Sequence, residues 1–202
     1  MRNLGIMGGT FDPVHLGHLE AAEASRVNFA LEKVIFVPAG VPPHKSGLIT
    51  PARDRLTMVM QATNDKPYFE VSDFEVNRPG KSYTVETIEH FRQVYGDETR
   101  LFFITGADAI MEILTWYNVT RLMEICEFIA VTRPGYAVEG LDKYIANLPL
   151  EIRQRVNSLV VPGLNISSTE IRNRVKTGQS IADQVSEVVE KYIIENRLYS
   201  LK

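Results

Sequence analysis

The sequence predicts an α/β fold, a mainly parallel sheet with helices packed on both faces, and three observations predict it. Short apolar runs bounded by Pro, Gly or charge, such as KVIFVP at 33–38, RLFFIT at 100–105 and EFIAVT at 127–132, read as buried strands. Stretches of helical periodicity lie between them, and alternating strands and helices mean βαβ units with right-handed crossovers. A glycine pair, Gly8-Gly9, follows the first apolar run, where such sheets bind ligands beyond the carboxyl ends of their strands. The 202 residues suit one domain, 1–202, ending in a helical part from about 164 to 202.

Taken in order, Asn3–Met7 reads as a short strand ending in the glycines, and Leu16–Phe29 as a helix. Lys33–Pro38 is the second strand, followed by the Pro/Gly loop AGVPPHKSGLITP. Ala52–Thr63 is helical. Tyr68–Val76, YFEVSDFEV, alternates like a half-buried strand. Thr84–Tyr95 puts Val85, Ile88, Phe91 and Tyr95 on one helical face. Arg100–Thr105 is a strand, with a helix starting near Asp108, and Glu127–Thr132 is another strand. The polar stretch 136–157 is helical in part, and Ser158–Val161 is the last strand. Ser167–Lys176 and Val185–Glu195 are helices, the second with a Val185, Val188, Val189, Tyr192 stripe.

Composition narrows the function classes. Net charge is −3 with no basic stripe, so no nucleic-acid partner is expected. No apolar stretch approaches membrane-spanning length, and glycines and Asp12 interrupt the N-terminus too early for a signal peptide. A single cysteine, Cys126, in the apolar context LMEICEFIAV, reads as a buried thiol in a reducing compartment, hence a cytoplasmic protein. Self-association into a homo-oligomer stays open.

The stretch GGTFDPVHLGH carries the first chemistry. Glycines let backbone N–H groups approach a phosphate. They fall at 5, 8, 9 and 17, which is not G-x-G-x-x-G and argues against a dinucleotide oxidoreductase. A Walker A loop is also missing, because Glu75 stands where Gly80-Lys81-Ser82 would need its first glycine. Asp12-Pro13 reads as a helix entry, with an N-cap type before a first-turn proline. His15 and His18 then share a face, an anion-donor pair beside a helix N-terminus. Gly17 between them costs that helix ~1 kcal/mol, which suggests close approach of a ligand. The alternatives are a capped helix with incidental histidines and a metal site, although zinc wants at least three protein ligands.

This stretch resembles the HxGH signature of the nucleotidyltransferase superfamily related to class I aminoacyl-tRNA synthetases. The resemblance implies a Rossmann-like sheet and two histidines that contact the α- and β-phosphates of a nucleoside triphosphate. ISSTEIR at 166–172 resembles the second phosphate motif of that superfamily. By its residues alone it is a capping box, Ser167 with Glu170, opening a helix that offers free N–H groups, Ser168 and Thr169 hydroxyls and the Arg172 fork. Capped helices are common, so this motif takes its weight from the first; the resemblance implies a grip on the β- and γ-phosphates.

Five clusters lie between the motifs: Pro42-Pro43-His44-Lys45, SYTVET at 82–87, Gly106-Ala107-Asp108, Trp116-Tyr117 and Thr132-Arg133-Pro134-Gly135. Individually they read as a turn, a cap, a strand end or core aromatics. In this order they resemble the bacterial nicotinate-mononucleotide adenylyltransferases across essentially the whole chain. The resemblance implies adenylyl transfer from ATP to nicotinate mononucleotide, in line and without a covalent intermediate, giving deamido-NAD and pyrophosphate, with Mg²⁺ accompanying ATP. It implies that Gly8, Gly9, Thr10, His15 and His18 meet the ATP phosphates and adenosine. Gly106 and Asp108 would take the adenosine side, and Ser168, Thr169 and Arg172 the triphosphate. Lys45 and Arg133 would hold the mononucleotide phosphate; Thr84 and the Tyr117 N–H the nicotinate carboxylate; Trp116 the pyridine ring. Ala39 and Gly40 depart from the family pattern, which often places an amide side chain there. The remaining alternatives are nicotinamide-mononucleotide, phosphopantetheine or cytidylyl transfer by the same superfamily, and a non-catalytic nucleotide sensor.

Overall fold

The computed structural model describes residues 2–43, 49–132, 138–162 and 166–200, without the side chains of 138 and 139. Six strands, β1 (Arg2–Gly9), β2 (Lys33–Pro38), β3 (Phe69–Val71), β4 (Thr99–Gly106), β5 (Glu127–Thr132) and β6 (Val156–Val160), form one sheet in the order β3-β2-β1-β4-β5-β6. Every pairing is parallel. Parallel neighbours require crossovers, and the helices between strands supply them: α1 (Leu16–Asn28), α2 (Ala52–Thr63), α3 (Phe74–Asn77), α4 (Thr84–Tyr95), α5 (Ala107–Ile110), α6 (Val119–Ile125), α7 (Val138–Ala146) and α8 (Leu150–Arg153); α9 (Ser168–Lys176) and α10 (Glu187–Glu195) follow the last strand.

Both faces of the sheet are covered, which is why the central strands read as unbroken apolar runs. Met7, Val34, Phe36, Phe102 and Ile104 face one layer, with Ala22 of α1, Met58 of α2, Ile171 of α9, and Val189 and Ile193 of α10. Leu4, Ile6, Ile35, Val37, Leu101 and Phe103 face the other, with Ile88 of α4 and Leu122 of α6. Tyr192 of α10 donates to Asp54 of α2 at 2.8 Å, tying the C-terminal helix to that layer. Among the described residues no helix is long and apolar enough to cross a membrane.

The predicted α/β order is observed, with local differences. The strand expected over Tyr68–Val76 stops at Val71, because the Ser72 hydroxyl accepts from the Phe74 N–H at 3.3 Å and turns the chain into α3. The helix expected from Asp108 is one turn; a 3₁₀ turn at Ile113–Thr115 follows, and Asn118, at φ 51°, starts α6. The last strand begins two residues earlier than expected, at Val156. In the C-terminal helix Val188 is 48% exposed, and the buried stripe runs Val185, Val189, Ile193 instead. β1 continues through both glycines rather than ending before them.

Cys126 caps the end of α6 with its thiol buried, and burial pushes that thiol far above the usual range. A thiol held protonated and covered is a poor nucleophile. The folded protein is therefore expected to resist a disulfide reagent such as dithionitrobenzoate, and to release one equivalent of chromophore per chain once guanidinium unfolds it. Stoichiometric labelling of the native protein would contradict this burial.

Candidate functional site

The strand order reverses between β1 and β4, so the chain leaves their carboxyl ends in opposite directions and opens a crevice there. Two cavities fill it. The larger, about 460 Å³, is walled by His15, Gly17, His18, Gly106, Asp108, Ser167 and Ser168, among others. The smaller, about 330 Å³, is walled by Gly8, Gly9, Thr10, Ala39, Glu75, Ser82, Tyr83, Thr84, Trp116 and Tyr117. Thr105, at the end of β4, belongs to both walls and joins them.

The histidine turn is built differently from its sequence reading. Asp12-Pro13 does not open the helix: that peptide bond is cis, and α1 starts at Leu16 with His15 as its N-cap in extended geometry. The Asp12 carboxylate is committed elsewhere, accepting from the Tyr199 hydroxyl at 2.8 Å and the Thr50 N–H at 3.4 Å. Burial and the Asp12 charge push the Tyr199 phenol well above its usual range, so it remains a donor. His15 donates its N–H to His18 Nδ1 at 3.2 Å, and the two rings stack with centroids 3.6 Å apart. With Nδ1 accepting, a neutral His18 carries its proton on Nε2. Phe11, held at φ 49° with its ring buried, packs edge-on against His18 at 5.0 Å. A left-handed aromatic residue costs on the order of 1–3 kcal/mol, a strain that concentrates at functional sites. Gly17 lines the cavity, and the close approach it permits is that of the His15 ring, 3.2 Å from where a Cβ would sit.

The second motif is stitched to the first. Ser167 caps α9 as expected, accepting from the Glu170 N–H at 3.2 Å. The reciprocal half of the capping box does not form, because the Glu170 carboxylate accepts from Arg174 and Gln184. The Ser168 hydroxyl donates to the Pro13 carbonyl at 3.0 Å, and Arg172 Nη1 donates to the Asp12 carbonyl at 2.7 Å. Arg172 Nη2 donates to Thr169 at 3.2 Å. Ser167 and Ser168 face the larger cavity; Thr169 and Arg172 stand on the same helical turn but do not line it.

Gly8, Gly9 and Thr10 line the smaller cavity and not the histidine cavity. A Cβ on Gly8 would lie 2.7 Å from the Phe103 ring, and one on Gly9 3.0 Å from the Phe11 ring. Their smallness admits those two aromatics beneath the cavity floor. Trp116 packs edge-on against Phe103 and Phe128, at 5.9 and 6.0 Å, and still presents itself to the cavity. Tyr117, 60% exposed, packs on Tyr83 at 4.6 Å. Thr84 is the first residue of α4, so the unpaired N–H groups and positive end of that helix face the same space. Lys45 and Arg133, the expected phosphate holders, lie outside the described residues.

Sequence reasoning passed over Glu75 and Arg55. Glu75 is buried on the smaller cavity's wall and accepts from Thr87; desolvation pushes its carboxyl above the usual range. Arg55 is 1% exposed. A signal existed for Arg55: it occupies the first position of an i, i+3, i+4, i+7 stripe with Met58, Val59 and Ala62, all buried. The small residues at 39 and 40 also gain a reason. A Cβ on Gly40 would overlap the Glu75 carbonyl oxygen, so no side chain fits there, amide or otherwise. Gly40→Ala is expected to cost about 1–3 kcal/mol by overpacking, read as a lower urea midpoint; an unchanged midpoint would contradict the contact.

Among the described residues no group of three or more His, Cys, Asp or Glu could hold a metal ion. Comparison with known proteins adds four findings. The family model described as cytidylyltransferase-like matches residues 6–174. The probable nicotinate-nucleotide adenylyltransferase of Moorella thermoacetica is 54% identical over 197 residues, 97% of this chain and 91% of that protein. Its Thermus thermophilus counterpart is 45% identical over 196 residues, 97% and 98% of the two chains. A solved structure, Plasmodium falciparum nicotinic acid mononucleotide adenylyltransferase complexed with NaAD, superposes with a TM-score of 0.77 over 98% of both chains; at 22% identity it supports the fold.

Proposed function

The chain belongs to the nicotinate-nucleotide adenylyltransferases of the cytidylyltransferase-like family, and from that premise we propose how its two cavities divide one reaction. It transfers the adenylyl group of ATP to nicotinate mononucleotide in NAD biosynthesis, releasing pyrophosphate. The observation that carries the assignment of sites is the pairing itself: an aromatic cavity and a histidine cavity meet at Thr105.

ATP takes the larger cavity, with its triphosphate between the histidine turn and the start of α9. Gly106 and Asp108, at the end of β4, take the adenosine side. Arg172 spends two of its donors on the protein and keeps others for phosphate oxygens, as does the N-terminal turn of α9. The mononucleotide takes the smaller cavity, with its ring against Trp116 and its carboxylate toward Thr84, Tyr117 and the positive end of α4. Thr10 stands at the seam on the mononucleotide's side, and Lys45 and Arg133 hold its phosphate.

The acceptor phosphate oxygen is already anionic, so the chemistry needs no general base. That oxygen forms a bond to the α-phosphorus while the α-phosphorus–pyrophosphate oxygen bond breaks in line. Catalysis is alignment and charge stabilisation. The His18 Nε2–H, its direction fixed by the bond at Nδ1, donates to the charge that grows on the α-phosphate and the departing pyrophosphate. Mg²⁺ enters on ATP, where it would neutralise phosphate charge. The carboxylates on the larger cavity's wall, Glu20 and Asp108, suit an ion that keeps most of its waters. The free, buried Cys126 suits a reducing cytoplasm.

The donors gathered at one end of this cavity, at Thr84, the Tyr117 N–H and the start of α4, favour a carboxylate, which only accepts, over an amide, which also donates. Pyrophosphate release with ATP should therefore be at least about tenfold more efficient, ~1.4 kcal/mol, with nicotinate than with nicotinamide mononucleotide. Equal efficiency would remove the donor argument, and no turnover with either would leave a nucleotide sensor. His18→Ala is expected to lower kcat by about 10²–10³ with a small change in the KM for ATP; near-native turnover would remove His18 from the reaction.

A further inference from the structure

We propose that Arg55 is the positioning residue of the acceptor cavity, a buried guanidinium that sets the distance between the loop after β1 and the loop after β2; this rests on the assignment of the smaller cavity to the mononucleotide. Its donors reach four backbone carbonyls and no side chain. Nη1 donates to Thr10 at 2.6 Å, Nη2 to Ala39 at 2.6 Å and to Gly40 at 3.2 Å, and Nε to Thr50 at 2.9 Å. Thr10 follows β1, Ala39 and Gly40 follow β2, and Thr50 leads into α2. One planar group thus joins the segment after β1, the segment after β2 and the entry to α2.

Two of the four acceptors, Thr10 and Ala39, belong to residues on the wall of the acceptor cavity. A third, Gly40, is gripped again from its other side, its N–H donating to the Ser82 hydroxyl at 2.9 Å, and Ser82 also lines that cavity. None of the Arg55 contacts involves a residue on the wall of the histidine cavity. The tie therefore acts on one substrate's site and not the other's.

Burying a full charge against neutral carbonyls is expensive, and an apolar side chain would pack beside Met58 and Val59 at lower cost. Desolvation lowers the guanidinium's affinity for its proton, and the Asp12 carboxylate is the strongest influence opposing that. What the arginine supplies in return is geometry. Its rigid fork presents several N–H groups in one plane, so two carbonyls on separate loops are held at one spacing. Lysine keeps the charge but is a point donor on a flexible stem, and cannot fix that spacing. A misplacement of about 1 Å at a reacting group can cost about 10²-fold in rate.

The test is steady-state kinetics of the full chain with each substrate varied in turn. Arg55→Lys should raise the KM for nicotinate mononucleotide by roughly 10-fold or more, while the KM for ATP changes less than about threefold and the thermal midpoint is followed separately. In Arg55→Ala, added methylguanidinium should restore the mononucleotide KM, whereas equal methylammonium should not. Parallel rises in both KM values, or a lower midpoint with an unchanged KM ratio, would reduce Arg55 to a structural residue and overturn the proposal. If the alanine variant does not fold, the lysine variant decides alone. The unmodified enzyme run alongside separates the two levels: if it fails to turn over nicotinate mononucleotide, the reading of the cavity falls and this proposal with it, while normal turnover with parallel KM changes condemns the role of Arg55 alone.

Discussion

A buried loop must find partners for its backbone carbonyls, and in this protein one loop imposes that demand on everything around it. Residues 11–15 are buried although they belong to neither strand nor helix. Two carbonyls in this stretch are each met by a different side chain of the distant α9: Asp12 by Arg172 and Pro13 by Ser168. An unpaired buried carbonyl would cost about 1–3 kcal/mol, so the loop holds its shape only when α9 is docked. The same loop carries Phe11, His15 and the turn to His18. Satisfying its carbonyls and assembling the two phosphate motifs are therefore one event.

This coupling shows why the two cavities can share a seam yet be tuned apart. The histidine cavity takes its definition from α1 and α9, through Ser168 and Arg172. The aromatic cavity takes its definition from the loops after β1 and β2, through Arg55 and Ser82. The first is a place for charge, with helix N-termini and imidazoles. The second is walled by aromatic rings, with Phe103, Trp116 and Tyr117 all on its lining. Reaction in line requires both at fixed separation, and β1 beside β4 in a rigid parallel sheet provides it.

Much of this was legible in the sequence because its signals are local. Buried parallel strands are short apolar runs, and amphipathic helices repeat at 3.6 residues; the bounds of β2, α2, α4 and β5 follow from those alone. The histidines stand out by their spacing beside the glycines, whereas Asp108, Trp116 and Ser168 read individually as a strand end, a core aromatic and a cap, and take their weight from the resemblance. What was not legible depends on tertiary neighbours. Asp12-Pro13 has the form of a helix start, but Tyr199 and Thr50 claim the carboxylate, and the cap passes to His15. Gly8 and Gly9 have the form of a phosphate cradle, while the Phe103 and Phe11 rings are what forbid a side chain there. Arg55 opens an apolar stripe with Met58, Val59 and Ala62, which marks it as buried, but the four carbonyls it serves are visible only in the fold.

The bond from Tyr199 to Asp12 spans 187 residues. Loops of that length close late, since their entropy is met only after nearer contacts exist. During synthesis the first motif emerges early, but it must wait for α9, and then for Tyr199, before its carboxylate and carbonyls are satisfied. A growing chain can therefore build its sheet while remaining unable to bind nucleotide in finished form. Nucleotide binding, on this view, reports assembly: the histidine turn takes its finished form only when α9 and Tyr199 have docked on it.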